Sequence, residues 1–241
     1  MTWGEQRYNF KNEHSFAVLI EVNIVVLGPS KKSNTRQLIL EKATDLFFEQ
    51  GFASASIRDI VGAVGVTNST VYIHFKDKNE ILYIIIDEIG TTLGGVLREA
   101  IRKSHDPVEC LRNMIFAQVC LVREKRKEIK IYMEDQFQLP RPLRKKVLEQ
   151  HRAIYEVYYN KFSEIHGEGL LKDIDQTVMT FCIFAMMNWA YRWYHETGPL
   201  SIEEIADDII RILFTGVLND AALSEKKVSS LSNKGGKTSW K

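Results

Sequence analysis

The sequence predicts an all-α chain, with a small N-terminal helical domain and a larger C-terminal one. Three observations carry this prediction. Apolar residues recur at helical spacing through the long segments, which are bounded by capping residues and by Gly or Pro. Two short stretches, one beginning at Ser56 and running to Val64, the other opened by Val66 and Thr67 and running through Phe75, flank Gly65 as helices around a tight turn. The stretch DIDQTVMTFCIFAMMNWAYRWYHE, Asp173 to Glu196, is apolar nearly all round, and Ser201 with Glu204 caps a further helix after it.

Composition sets wide bounds. At 241 residues, with 45% hydrophobic and 26% charged residues, the chain holds one large domain or two small ones around a sizeable core. A net charge of +1 gives no global signal for nucleic acid. Cys110, Cys120 and Cys182 are odd in number and lack CxxC spacing, which fits small buried hydrophobes in a reducing cytosol rather than disulfides or a zinc site. No HExxH, GxSxG, P-loop or GxGxxG occurs, so neither a catalytic site nor a metal or other cofactor is expected.

Residues 1–33 are expected to be a poorly ordered extension. The apolar run Phe16–Leu27 is too short to span a membrane, is broken by Glu21 and Asn23, and lacks a small-residue cleavage site. Lys31 and Lys32 form either a short basic arm or a solvated linker. Asn34 and Gln37 are expected to cap the first domain helix, which carries Ile39, Ala43, Leu46, Phe47 and Gln50 on its inner stripe and ends at Gly51.

Ser56 and Asp59 then form a capping box for a helix with Ile57, Ile60, Val61 and Val64 on one face. Gly65 ends it, and Thr67 caps a second helix whose Val71 and Phe75 point inward. Asn68, Ser69, Thr70, Tyr72, Ile73 and His74 are left on its other faces. A polar helix held on an apolar one across a tight turn is the helix-turn-helix arrangement, which places its second helix in the major groove. From Thr35 to Glu80 there are five Lys/Arg and six Asp/Glu, so affinity has to come from placed contacts rather than a broad positive field.

The segment resembles the N-terminal domain of TetR-family transcriptional regulators. Gly51-Phe52, Ile57, Ile60, Gly65-Val66, Thr70, Tyr72, His74-Phe75, Lys78, Glu80 and Ile81-Leu82 follow that family's order. The resemblance implies a cytoplasmic, homodimeric, ligand-responsive repressor on double-stranded DNA, reading a palindromic operator. It assigns residues 34–82 to DNA binding, 83–222 to ligand binding and dimerisation, and 223–241 to a disordered basic tail. Thr67, Thr70, Tyr72, His74 and Lys78 become phosphate contacts, with domain packing the competing role for Tyr72 and His74. Asn68, Ser69 and Ile73 face base edges, Ile73 suiting a thymine methyl. Asn68-Ser69, where lysine-glycine is common, and Ile73 depart from the family pattern and bear on which bases are read.

Asp77 with Glu80 caps a long helix with Gly90, Gly94 and Gly95, either a hinge or packing glycines. Asp106-Pro107 opens the next, and the charge run Arg123–Lys130 after it is expected to be a solvated corner between helices. Pro140 and Pro142 precede a long helix that ends at Gly167. The last two helices, Asp173–Glu196 and Ser201–Leu218, carry more apolar surface than one domain covers, and a four-helix bundle with a second copy buries it. In the C-terminal domain Met114, Phe116, Gln118, Tyr132, Phe137, His151, Tyr155, Asn188 and Arg192 are candidate inducer-pocket residues, with plain core packing the competing role for each. Arg192, if buried, needs an anion: an internal acid or a ligand carboxylate or phosphate. The C-terminal segment NWAYRWY…GPLSIEEIADDIIRIL resembles regulators of fatty-acid, acyl-CoA and sterol breakdown, implying a lipid-like inducer. A drug-sensing repressor of an efflux gene, and a helical lipid carrier without specific DNA binding, are the alternatives.

Overall fold

The computed structural model describes residues 31–224, so the expectations for residues 1–30 and 225–241 lie outside the described residues. The described chain is helical, with Leu171 and Leu218 forming an isolated backbone bridge. In order the helices are α1 (Lys31–Gln50), α2 (Ile57–Val64), α3 (Asn68–His74), α4 (Lys78–Arg102) and α5 (Pro107–Glu134). A 3₁₀ turn, Gln136–Gln138, leads to α6 (Arg141–Gly167), α7 (Gln176–Asn188), α8 (Ala190–Trp193), α9 (Ile202–Val217) and α10 (Asp220–Ser224). No helix of the described residues is long and apolar enough to cross a membrane.

Local chemistry sets most boundaries as expected. The Ser56–Asp59 and Ser201–Glu204 capping boxes are both formed, and Asp77, Asp106 and Asp175 accept amide protons at the starts of α4, α5 and α7. Gly51 and Gly65 take left-handed backbone at φ 80° and 76°, a conformation that strains any residue with a Cβ. One start differs: α1 begins at Lys31, so Asn34 and Gln37 lie within the helix rather than capping it.

Two apolar cores result. The head core gathers Ile39, Phe47, Phe52, Ile60, Val71, Phe75 and Ile81. The body core gathers Leu97, Leu111, Ile115, Tyr158, Phe162, Ile183, Ile210 and Phe214. The head core extends past residue 82. The first half of α4 belongs to the head core, which also takes in Ile131, Tyr132, Leu139 and Val147 from beyond it. Helix α5 crosses from the body core to the head core and leaves helical backbone at Lys125, φ −123° and ψ 24°.

That break makes the charge run a junction rather than a solvated corner. Lys127 pairs with Asp45 of α1 at 2.6 Å, and Lys130 donates to the Phe48 carbonyl at 2.7 Å. Arg126 donates to the Tyr191 carbonyl at 2.8 Å, and Arg123 pairs with Glu203 of α9. Gly90 is a close-approach position: a Cβ there would lie 2.6 Å from Gln150 Oε1. The apolar stretch Asp173–Glu196 is not one helix, because α7 stops at Asn188 and the short α8 follows across Trp189. Nor is it buried all round: Val178, Phe181, Trp189 and Trp193 are exposed, as is Ile212 of α9.

Candidate nucleic-acid interface and ligand cleft

The recognition surface is built on α2 and α3. Gly65 caps α2 by donating its amide to Val61, and Thr67 accepts the Thr70 amide at 3.2 Å to open α3. The two threonine hydroxyls lie 2.9 Å apart, so Thr67 serves first as a helix cap. Val71 and Phe75 are buried, and the opposite face carries Tyr72 and Ile73 at 56% and 66% exposure. Asn68 and Ser69 are exposed beside the α3 N-terminus, whereas Thr70 and His74 are half-buried. Ile73 is thus two-thirds open to water on the face of α3 turned away from the head core.

Lys78, expected at a phosphate, is engaged within the head itself. Its ammonium donates to the carbonyls of Phe52 and Ala55, both at 2.7 Å, and sits 4.2 Å from the centre of the Phe52 ring. These carbonyls belong to the loop between α1 and α2, which has no other regular structure to satisfy it. The lysine thus clamps that loop onto α4, and burial lowers its pKa. Arg36 lies 5.3 Å from the Phe75 ring centre, while Arg58 and Lys76 stay exposed on the head.

The ligand-pocket candidates separate into groups. Gln118 and Asn188 come together: the Gln118 amide donates to Asn188 at 3.0 Å and accepts from the Tyr158 hydroxyl at 2.9 Å. Burial raises the pKa of Tyr158 well above its ordinary value, so its hydroxyl remains a donor. Tyr155 joins an aromatic group, 5.4 Å from Phe181 and 6.4 Å from Phe184 between ring centres. Met114 is fully buried in the body core, with Phe116 packed partly against it.

Tyr132, His151 and Phe137 lie elsewhere. Tyr132 packs in the head core, with the His151 ring 4.6 Å from its own. Phe137 is 66% exposed on the 3₁₀ turn. Arg192 is not buried. Its guanidinium is half-exposed, stacks 4.7 Å from the Trp189 ring centre and pairs with Glu134 at 3.4 Å, so its anionic partner is an internal acid.

A cleft of about 520 Å³ opens at this point. Its apolar wall is Met133, Phe181, Phe184 and Trp189, and its polar rim is Glu134, Asn188, Tyr191 and Arg192. The Tyr191 hydroxyl donates to Glu134 at 2.9 Å, and burial with that acid pushes its pKa up to about 12. Of the candidates, Asn188 and Arg192 line the cleft. Glu134 was missed because it follows a charge-rich run, and its contact with Tyr191 spans 57 residues of sequence. Among the described residues no cluster of His, Cys, Asp and Glu is arranged to hold a metal ion.

Residues 39–83 match the family model for bacterial regulatory proteins of the tetR family, and residues 104–217 match that for the tetracyclin repressor-like C-terminal domain. The HTH-type transcriptional repressor KstR2 of Mycolicibacterium smegmatis is 21% identical over 191 residues, covering 78% of this chain and 93% of its own. AcrR of Shigella flexneri is 38% identical over 82 residues, 34% of this chain and 38% of its own. Among solved structures, KstR2 of Mycobacterium tuberculosis superposes with a TM-score of 0.72 at 21% identity, over 77% of this chain and 95% of that one. AibR, solved with isovaleryl coenzyme A and operator DNA, does so with a TM-score of 0.70 at 26% identity, over 75% and 98%. With both halves matched in order, the chain belongs to the TetR family of transcriptional regulators, DNA-binding repressors that dimerise and respond to a small-molecule ligand.

Proposed function

We propose that the protein is a cytoplasmic, non-catalytic repressor released from a palindromic operator by a coenzyme A thioester. The observation that carries the DNA half is the outward face of α3, Asn68, Ser69, Tyr72 and Ile73, on a helix anchored by Val71 and Phe75. In a two-fold dimer two such helices enter successive major grooves about 34 Å apart. Thr70, Tyr72 and His74 then supply phosphate contacts, with Thr67 capping the helix that presents them. Asn68, Ser69 and Ile73 face base edges, Ile73 against a thymine methyl.

The cleft supports the ligand half. Phe181, Phe184 and Trp189 accept an apolar acyl group, and the exposed Arg192 guanidinium offers a planar fork to a phosphate. The likeness to AibR, at 26% identity, supports this ligand class. The test is fluorescence anisotropy on DNA from beside the protein's own gene, titrated with salt and then with acetyl-, isovaleryl- and palmitoyl-CoA. Salt-sensitive, sequence-specific binding that a thioester reverses is expected. Binding equal on all sequences refutes the repressor. Release by cationic dyes but not by thioesters reassigns the cleft to a drug-type sensor.

A further inference from the structure

The cleft and the reading head are joined at the α5 break. Helix α8 is held by α5 at two points: Glu134 accepts the Tyr191 hydroxyl, and Arg126 donates to the Tyr191 carbonyl at 2.8 Å. The same Arg126 guanidinium lies 5.9 Å from the ring centre of Phe48 on α1, the helix on which α2 and α3 are packed. Lys130 approaches that ring from 4.7 Å. Beside this contact lies a second cleft of about 630 Å³, lined by Leu40, Thr44 and Phe48 of α1, Glu88 of α4 and the broken turn of α5. The junction therefore borders an open cleft on one side.

We propose that Arg126 is the positioning residue through which occupancy of the cleft reaches the DNA-reading head. An anionic group drawn to Arg192 competes with Glu134, which otherwise holds both Arg192 and Tyr191. Loss of the Arg192–Glu134 ion pair loosens the tie of α8 to α5, and the Tyr191 carbonyl shifts with α8. Arg126 follows the carbonyl and shifts Phe48, tilting α1 and the helices it carries. This rests on the cleft being the ligand site, but the junction itself is testable without a ligand.

Full-length protein, wild type and Arg126→Gln, is titrated with labelled DNA and with the three thioesters, binding of which is read separately from tryptophan quenching. Wild type should lose operator affinity by about 5- to 150-fold on thioester addition, the usual range of allosteric coupling. Arg126→Gln should bind the thioester as wild type does, yet its operator affinity should change less than about twofold, below that coupling range. Release of Arg126→Gln to the wild-type extent, or loss of its thioester binding, overturns the proposal. If no thioester quenches or releases the wild type, the ligand reading fails, and Glu134→Gln decides Arg126 alone. That substitution should weaken operator binding at least fivefold in the wild-type background and not in Arg126→Gln; equal effects in both overturn the proposal. Phe48→Leu interrupts the same contact from α1 and replaces Arg126→Gln should the latter not fold. Loss of folding in both refutes a signalling role, because the contact is then structural.

Discussion

Replacing Lys78 with Met separates a structural clamp from a DNA contact. Methionine keeps an unbranched stem against Phe52 and removes the ammonium. With it go two charge-assisted hydrogen bonds to loop carbonyls and one cation–π interaction. Hydrogen bonds to charged groups contribute about 1.5–3 kcal/mol each and an exposed cation–π interaction about 0.5–1. The low ends of these figures sum to about 3.5 kcal/mol, and because Lys78 is half-exposed, solvent screening reduces this to a net loss of about 2–3 kcal/mol. For a chain of this size that lowers Tm by roughly 5–10 °C, read by circular dichroism. Salt dependence of operator binding provides the second reading. Were Lys78 bound to a phosphate in each protomer, its removal would flatten the log–log slope by about 0.9 per phosphate. The clamp predicts an unchanged slope with a lower Tm. An unchanged Tm with a flattened slope refutes the reasoning and returns Lys78 to the DNA backbone.

Tyr72→Phe should weaken operator binding alike on all sequences, whereas Ile73→Ala should alter preference at thymine positions; anisotropy on a set of single-base operator variants distinguishes them. His151 is half-buried with its Nε2 unpartnered, and burial holds its pKa below 6.5. The folded protein therefore binds fewer protons than the unfolded one. Stability from neutral His151 is full above about pH 6.5 and falls as pH drops toward the folded value, by up to about 1.4 kcal/mol per pH unit. In melts from pH 7.5 to 5.5, His151→Phe should lose less stability than wild type. Gly90→Ala should displace Gln150 from its 2.8 Å bond to Asp87 and cost about 1 kcal/mol, the loss of that bond outweighing helix propensity. In a Gln150→Ala background, where that bond is already absent, Gly90→Ala should instead gain stability from helix propensity in chemical denaturation. Ile212→Glu, on the exposed face of α9, should shift the protein from dimer to monomer in light scattering and abolish tight operator binding.

The head was legible because its instructions are local. Ser56 and Asp59, Gly65, Thr67 and Thr70, and Asp77 and Glu80 act within four residues of one another, so the capping and turn chemistry is visible in the linear order. What escaped was long-range. Lys78 meets carbonyls 23 and 26 residues away, and the junction contacts of Lys127 and Lys130 each span 82. An alternating charge run carries no sign of which of its members are docked. The break at Trp189 has neither Gly nor Pro to announce it. Of the residues lining the cleft, Asn188 and Arg192 are legible because polar groups stand out in an apolar helix, whereas the exposure of Phe137 is not, because an exposed aromatic is indistinguishable in sequence from a buried one.

Helix α5 threads both cores, and this bears on how such regulators can be recombined. A head excised at residue 82 would leave behind Ile85, Ile86 and Ile89 of α4 together with Ile131, Tyr132, Leu139 and Val147, all of which belong to its core. Grafting this head onto another regulator's body therefore means transplanting a matching second half of α5 and the first turns of α6 as well. Operator preference in this chain is not a detachable cassette: exchange has to move two separated segments of sequence together.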